Sequence, residues 1–237
     1  MTNLRVGRSI GCVKILPKFV LPLLCVGAVV IVLSAGPASG QEALKEANEL
    51  NQRVVKLYQA GKYAEALPLA RRALGLQEKA LGPTHLDVAT SLSWLALLLQ
   101  TTGDYLEARP LYERALKIDE HTYGPTHPNV ATDLGNLALL LQTTGDYAGA
   151  RPLYERALRI SEQALGPMHQ DVAQSLVSLA NLLFVTGAFA GERPLYELYE
   201  RALRIREKAL GPEHPDVAAS LNSLAWLLRY TGDSAGA

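Results

Sequence analysis

Residues 82–123 read GPTHLDVATSLSWLALLLQTTGDYLEARPLYERALKIDEHTY, and residues 124–165 repeat them as GPTHPNVATDLGNLALLLQTTGDYAGARPLYERALRISEQAL. Two punctuation marks divide this stretch. Gly-Pro-x-His stands at Gly82-Pro83-Thr84-His85 and Gly124-Pro125-Thr126-His127, and returns at Gly166-Pro167-Met168-His169 and Gly211-Pro212-Glu213-His214. A lone glycine recurs in step with it at Gly61, Gly103, Gly145, Gly187 and Gly232, spaced 42, 42, 42 and 45 residues apart. Two marks per period mean two elements per period, and a period of this length identifies a stacked repeat array.

Both elements read as helices. Val88, Leu92, Leu95, Ala96 and Leu99 fall on one helical face, with no strand-like alternation to compete. Asp87, Asp171 and Asp216 sit in the first turn of this helix, where a carboxylate meets the positive end of the helix dipole. Pro128 and Pro215 suit the same N-terminal position. Gly103 ends the helix. The second helix starts near Asp104, a cap residue, and buries a stripe of Tyr105, Ala108, Leu111, Tyr112, Ala115 and Leu116. Pro68, Pro110, Pro152 and Pro194 each lie seven residues past the turn glycine, so a mild kink or a late helix start is expected there.

Working outward, the chain has 237 residues and balances 23 basic against 23 acidic groups. The balance is uneven, because residues 1–40 hold Arg5, Arg8, Lys14 and Lys18 and no acid, leaving 19 basic against 23 acidic groups beyond them. Such a surface supplies no basic patch for counterion release, so nucleic acid is excluded as a partner. Phe19 to Leu33 is apolar throughout, and Gly36-Pro37 breaks any helix before the small residues Ala38-Ser39-Gly40. That is the layout of a secretory signal peptide cleaved after Gly40. The competing reading is an uncleaved anchor through residues 19–35, although 15 densely apolar residues are short for the hydrocarbon core. Periplasmic or secreted location follows from the first reading, and an inner-membrane tether from the second. Both cysteines, Cys12 and Cys25, fall in this segment, so residues 41–237 contain no thiol for a disulfide, zinc site or nucleophile.

Leu92, Leu95-Ala96, Gly103, Tyr105, Ala108, Tyr112 and Ala115-Leu116 resemble the tetratricopeptide (TPR) pattern, and the 42-residue period with R-P-L-Y-E-R-A-L is similar to its kinesin-light-chain type. The resemblance covers about residues 44–237. It implies an all-α, right-handed superhelical solenoid of antiparallel helix pairs, four pairs followed by the first helix of a fifth, whose first helices line a concave face that binds peptides or proteins. Carrying the family's concave positions across places Thr90, Ser93, Leu97, Gln100 and Thr101 in the groove, followed by Thr132, Gly135, Leu139, Gln142 and Thr143. Gln174, Val177 and Asn181 continue it, and Asn222 and Trp226 complete it. Asn136, Asn181 and Asn222 are its expected amide contacts. The surface reads as neutral, and the paired positions Ser93-Trp94, Gly135-Asn136, Val177-Ser178 and Asn222-Ser223 do not supply a carboxylate clamp.

The departures from the repeat carry expectations too. The polar first helix, residues 44–59, reads as a cap against water, with Ala70 where Tyr112 stands later. In the fourth repeat Glu192 replaces the small alanine and a tandem Leu195-Tyr196-Glu197 then Leu198-Tyr199-Glu200 adds three residues. Three residues rotate whatever follows by about −60° and displace it by ~4.5 Å, so a local irregularity is expected.

No catalytic constellation appears. The repeated histidines form a ladder with one member per repeat, separated by two helix widths, whereas zinc needs its nitrogens ~2.0–2.1 Å from one ion. They read as structural, His121 as a surface histidine, and no cofactor or metal is expected. Ser91 and Ser175 recur at repeat positions without a base. Glu113-Arg114 and Glu155-Arg156 read as a solvated outer face whose ion pairs are worth little individually. Trp226 aligns with Leu97, Leu139 and Asn181 in the groove and is open to either packing or ligand contact, while Trp94 aligns with Asn136 and reads as packing.

The expected function is a non-enzymatic, exported scaffold binding an unidentified protein or peptide. The alternative is a sensing array preceding an enzyme, such as a CHAT-type peptidase, an analogy carried by the resemblance alone. Because the chain stops at Ala237, where the second helix of the fifth repeat would begin, a longer product or docking and self-association of that end is a further expectation.

Overall fold

The computed structural model describes residues 37–187 and 193–231. The targeting segment up to residue 36, the substituted Glu192 and the end beyond residue 231 lie outside the described residues.

Among the described residues are nine helices and no strand: α1 (Pro37–Gln59), α2 (Tyr63–Leu81), α3 (Leu86–Thr102), α4 (Tyr105–Tyr123), α5 (Pro128–Thr143), α6 (Tyr147–Leu165), α7 (Gln170–Thr186), α8 (Arg193–Leu210) and α9 (Pro215–Thr231). Each helix packs chiefly on the next in the chain, and the first helices of successive repeats also meet, as α5 does α7. α1 starts at Pro37, so Ala38-Ser39-Gly40 follows the break as part of a helix. Alanines at the crossings, Ala66, Ala96, Ala108, Ala115, Ala138 and Ala150, are all fully buried. A methyl group at these points lets neighbouring helices approach closely, and Leu92, Leu134 and Leu176 fill the space between them. One core cluster consequently runs from Val54 on α1 to Leu182 on α7.

Both turn types are fixed by short-range chemistry. Gly103 closes α3 with φ 89° and ψ 5°, the left-handed cap the sequence suggests. Gly82, Gly124 and Gly166 hold φ 88° with ψ between 156° and 159°, a region open essentially to glycine alone. The chain then reaches the histidine, and the ladder acquires a defined role. Nδ1 of His85, His127, His169 and His214 accepts the backbone N–H two residues on, at 3.1, 3.2, 3.2 and 3.1 Å. Each imidazole is therefore an N-cap, doing with a ring nitrogen what Ser or Asp does with an oxygen. Replacing His127 with alanine should cost about 1 kcal/mol, and His127→Asn should restore most of it; urea unfolding of both variants measures the difference. Equal losses for the two substitutions would show that the cap bond is not what the ring contributes.

The second helices depart from expectation in three ways. α2, α4 and α6 begin five residues before Pro68, Pro110 and Pro152, so the prolines do not delay the helix. The carbonyls that lose their partner belong to Ala64, Leu106 and Ala148, and these residues are exposed, where solvent can satisfy a carbonyl that the helix does not. Asp104 makes no side-chain cap, whereas Asp146 accepts the Gly149 N–H at 2.9 Å. A Cβ at Gly149 would come within 2.7 Å of the Asp146 carboxylate, and at the equivalent place after Asp104 stands Glu107, which has one. Finally, the three-residue insertion does not propagate. Tyr199, Ala202 and Ile205 are buried as Tyr154, Ala157 and Ile160 are, 45 residues earlier, and Leu195 occupies the slot of Ala150. From Leu195 onward the register of the earlier second helices is kept.

Candidate functional site

The two helix layers are joined differently. Second helices are bridged by equivalent ion pairs: Arg114 to Glu78 at 2.5 Å, Arg156 to Glu120 at 2.7 Å and, past the three-residue insertion, Arg201 to Glu162 at 2.6 Å. The same guanidinium groups donate to the carbonyls of Pro83, Pro125 and Pro167 in the preceding turn. These arginines are only about a third exposed (37, 33 and 34%), so the outer face read from the sequence as solvated is a set of joints between repeats. A guanidinium fork suits this double task and a lysine does not.

First helices present the other face, and three cavities follow one another along it. The first, about 310 Å³, lies between α3 and α5 and includes Thr90, Ser93, Leu97, Thr132 and Asn136. The second, about 290 Å³, lies between α5 and α7 with Thr132, Gly135, Asn136, Leu139 and Gln174. The third, about 450 Å³, lies between α7 and α9 with Asn181, Asn222 and Trp226. Residues placed in the groove from the sequence thus line successive cavities. Gln100 and Gln142 do not: each accepts the hydroxyl of a second-helix tyrosine, Tyr112 at 3.2 Å and Tyr154 at 3.1 Å. Val177, too, lines none of these three cavities and packs with Val172, Leu176 and Ala202. Thr101 and Thr143 turn their hydroxyls onto their own helix, bonding Leu97 and Leu139 carbonyls at 2.7 Å. Asn181 accepts the Tyr199 hydroxyl at 2.6 Å, and Gln174 accepts from Arg206 at 2.9 Å. Burial pushes Tyr154 and Tyr199 up to about 12 and Tyr112 higher still, so all three remain donors at physiological pH.

The two tryptophans divide. Trp94 is half-buried, meets Tyr58 edge-on at 5.7 Å and forms a wall of the first cavity. Trp226 is 54% exposed and lies 4.3 Å from the Phe184 ring, presenting a flat aromatic surface in the third.

What the sequence reading missed is the floor. At each junction one polar residue from a second helix meets one from the next first helix, inside an apolar core. In the first such pair Ser91 donates to Gln77 at 2.5 Å, and Asn51 donates to Ser91 at 3.1 Å. In the third, Ser161 is buried and Ser175, whose hydroxyl donates to the Asp171 carbonyl at 3.0 Å, lines the same cavity. In the fourth, Arg206 donates to Ser220 at 2.8 Å. The second pair is two acids. Asp119 and Asp133, 8% and 7% exposed, both line the first cavity. Ser93 donates to Oδ1 of Asp133 at 3.4 Å, and Oδ2 has no partner. Burial pushes Asp133 up to about 7, the Asp119 charge adding to it, the Ser93 bond opposing and Glu120 adding a little more. Asp119 is raised by burial as well, against the opposing charge of His127 and a bond from Asn129. The neutral groove expected from the sequence therefore holds a pair of buried acids in its first cavity, whereas the Asp171 that lines the second is exposed. A usable signal existed: positions 91, 133, 175 and 220 align as Ser, Asp, Ser and Ser.

Among the described residues no group of three or more His, Cys, Asp and Glu side chains is placed to hold a metal, and no helix is long and apolar enough to cross a membrane. Paired helices at a fixed period, carrying a row of cavities on one face, define a repeat scaffold of the kind that binds other polypeptides. The chain belongs to the tetratricopeptide repeat family, whose models match residues 50–87, 87–163, 134–190 and 195–237. Its fold is accordingly the all-α TPR solenoid expected from the sequence. Among solved structures it is similar to a putative kinesin light chain with nearly identical TPR-like repeats from Podosopora anserina, at 26% identity, TM-score 0.64 and coverage of 85% of this chain and 91% of that one. A single-substitution variant of that protein aligns at 25% identity, TM-score 0.67 and coverage of 80% and 88%. BtubC (BKLC) from P. vanneervenii shares the fold at 24% identity and TM-score 0.65, with 83% of each chain covered. A search of curated proteins gave no match.

Proposed function

We propose that this chain is an exported scaffold that binds an extended peptide or protein segment along the face of α3, α5, α7 and α9. The observation that carries this reading is the row of three cavities, each opening between consecutive first helices, so that one polypeptide lying across the helices meets all of them. Export is supported by the charge-then-apolar-then-small order of residues 1–40. N-terminal sequencing of material from the periplasm or medium tests it: a start at or near Gln41 is expected, and intact Met1 in a membrane fraction would sink cleavage.

Groove binding is tested with a photo-crosslinking residue at Leu139, 47% exposed in the middle of the face, compared with Leu106, 93% exposed at the start of a second helix. Adducts should form from Leu139 and not from Leu106. The Asn136→Ala, Asn181→Ala, Asn222→Ala combination should reduce them, and they should persist at raised salt because few exposed charges line the cavities. Adducts from Leu106 alone would move the interface to the other face.

A further inference from the structure

We propose that the cavity between α3 and α5 is a subsite for one cationic side chain, a guanidinium or ammonium group, received between the carboxyl groups of Asp119 and Asp133. This deepens the groove reading and rests on it for the polypeptide that carries the cation.

The junction chemistry sets this cavity apart. Gln77 with Ser91 and Arg206 with Ser220 close on one another through hydrogen bonds, and Ser161 with Ser175 is neutral. Asp119 and Asp133 do not close on one another: Oδ1 of Asp133 accepts from Ser93 and its Oδ2 from nothing. Asp133 is more than nine-tenths buried with Oδ2 unpartnered, and its single bond, from Ser93, is long. Unpaired acceptors of this kind are costly to bury and select a donor.

The walls say which donor. Trp94, Tyr112 and Leu97 flank the acidic floor, with the Asn129 and Asn136 amides beside it. Apolar and aromatic walls over a negative floor match a side chain with a hydrocarbon stem and a charged head, in which the rings and the carboxylates both attract the cation. An anion is repelled here. Among the described residues no third acidic or imidazole ligand stands with the pair to complete a metal site.

Binding a cation requires both carboxylates ionised, and this gives the subsite a pH signature. The groups facing Asp133 are Ser93 from α3 and Tyr112, Asp119 and Glu120 from α4, with His127 near Asp119 at the start of its own helix. With Asp133 poised at about 7, a cation binding at pH 6 displaces a proton from most molecules and at pH 8 from few. Affinity should therefore be about tenfold higher at pH 8 than at pH 6.

The test uses the full chain and N-acetyl-arginine methylamide as probe, with N-acetyl-citrulline methylamide as its uncharged counterpart, followed by NMR. The arginine probe should shift the Trp94 indole N–H and the Asn136 amide saturably and leave Trp226, in the third cavity, unmoved. Asp133→Ser should abolish the shift. This variant places in the α5 junction the residue already present at Ser91, Ser175 and Ser220, and circular dichroism checks that it remains helical. No saturable shift, an equal response to citrulline, or an undiminished response in the variant overturns the proposal. The groove reading fails separately: adducts at Leu139 without arginine binding leave the groove and remove the subsite, while arginine binding without adducts does the reverse.

Discussion

At pH 8, Asp133→Ser is expected to make the protein more stable by up to about 4 kcal/mol, an effect larger than most single substitutions produce in either direction. The carboxyl is raised to about 7 in the folded chain, chiefly by burial and then by Asp119, against ~3.9 when the chain is unfolded. Because the folded form holds its proton more tightly, the aspartate's contribution is intact below pH 4 and is lost progressively as pH rises towards 7. The gain from substitution should accordingly be large at pH 8 and absent at pH 4. Urea unfolding at the two values measures it. A gain that is the same at both would assign the effect to packing rather than to the buried charge. If the gain appears, residue 133 is an instance of stability given up at a site, which accords with a ligand that supplies the missing partner.

Tyr112→Ala should be the most damaging substitution at the cavity, costing about 3–5 kcal/mol. The side chain is 1% exposed, belongs to the main core, and ties α4 to α3 through Gln100. Tyr112→Phe keeps the ring and loses only the bond, for about 1 kcal/mol. In an array whose repeats touch only their neighbours, the alanine variant should also split unfolding into two steps, since the junction at α3–α4 would open before the others. Circular dichroism against urea, with Trp94 fluorescence in a Trp226→Phe background, would show whether the loss is local. A single transition with unchanged midpoint would refute the assigned role.

The helices and their order were legible because glycine and Gly-Pro-x-His act within a few residues, and the apolar spacing repeats often enough to exclude accident. Where a consequence depends on a neighbour in space, the sequence was less informative. Asp104 and Asp146 look alike in their turns, but only the second has a glycine three residues on that leaves room for its carboxylate. Pro110 looks disruptive until the exposure of the Leu106 carbonyl's residue is known. The insertion looked as if it would turn all that follows, because helical arithmetic counts residues and does not see that Leu195 can take an alanine's place. In the groove, Gln100 and Gln142 were placed by alignment and are engaged by tyrosines instead. Asp119 and Asp133 are 14 residues apart on different helices, and only the packing of α4 on α5 brings them to one cavity.

The joints between second helices have a corollary for the order of the array. Glu78 meets Arg114 and Glu120 meets Arg156 with identical chemistry at an identical offset, as do the proline carbonyls they share. Such joints are interchangeable: Arg156 could be seated on Glu78 with one whole period looped out, and closing a loop of that length costs only about 3 kcal/mol. They hold neighbours together without recording which neighbour is which. That record lies in the buried pairs, which differ at every junction, because a skipped repeat would break the Ser91–Gln77 bond and part Asp119 from the cavity it shares with Asp133. The polar residues inside the core thus act as a threading key, and the least stable of them marks the second junction most distinctly.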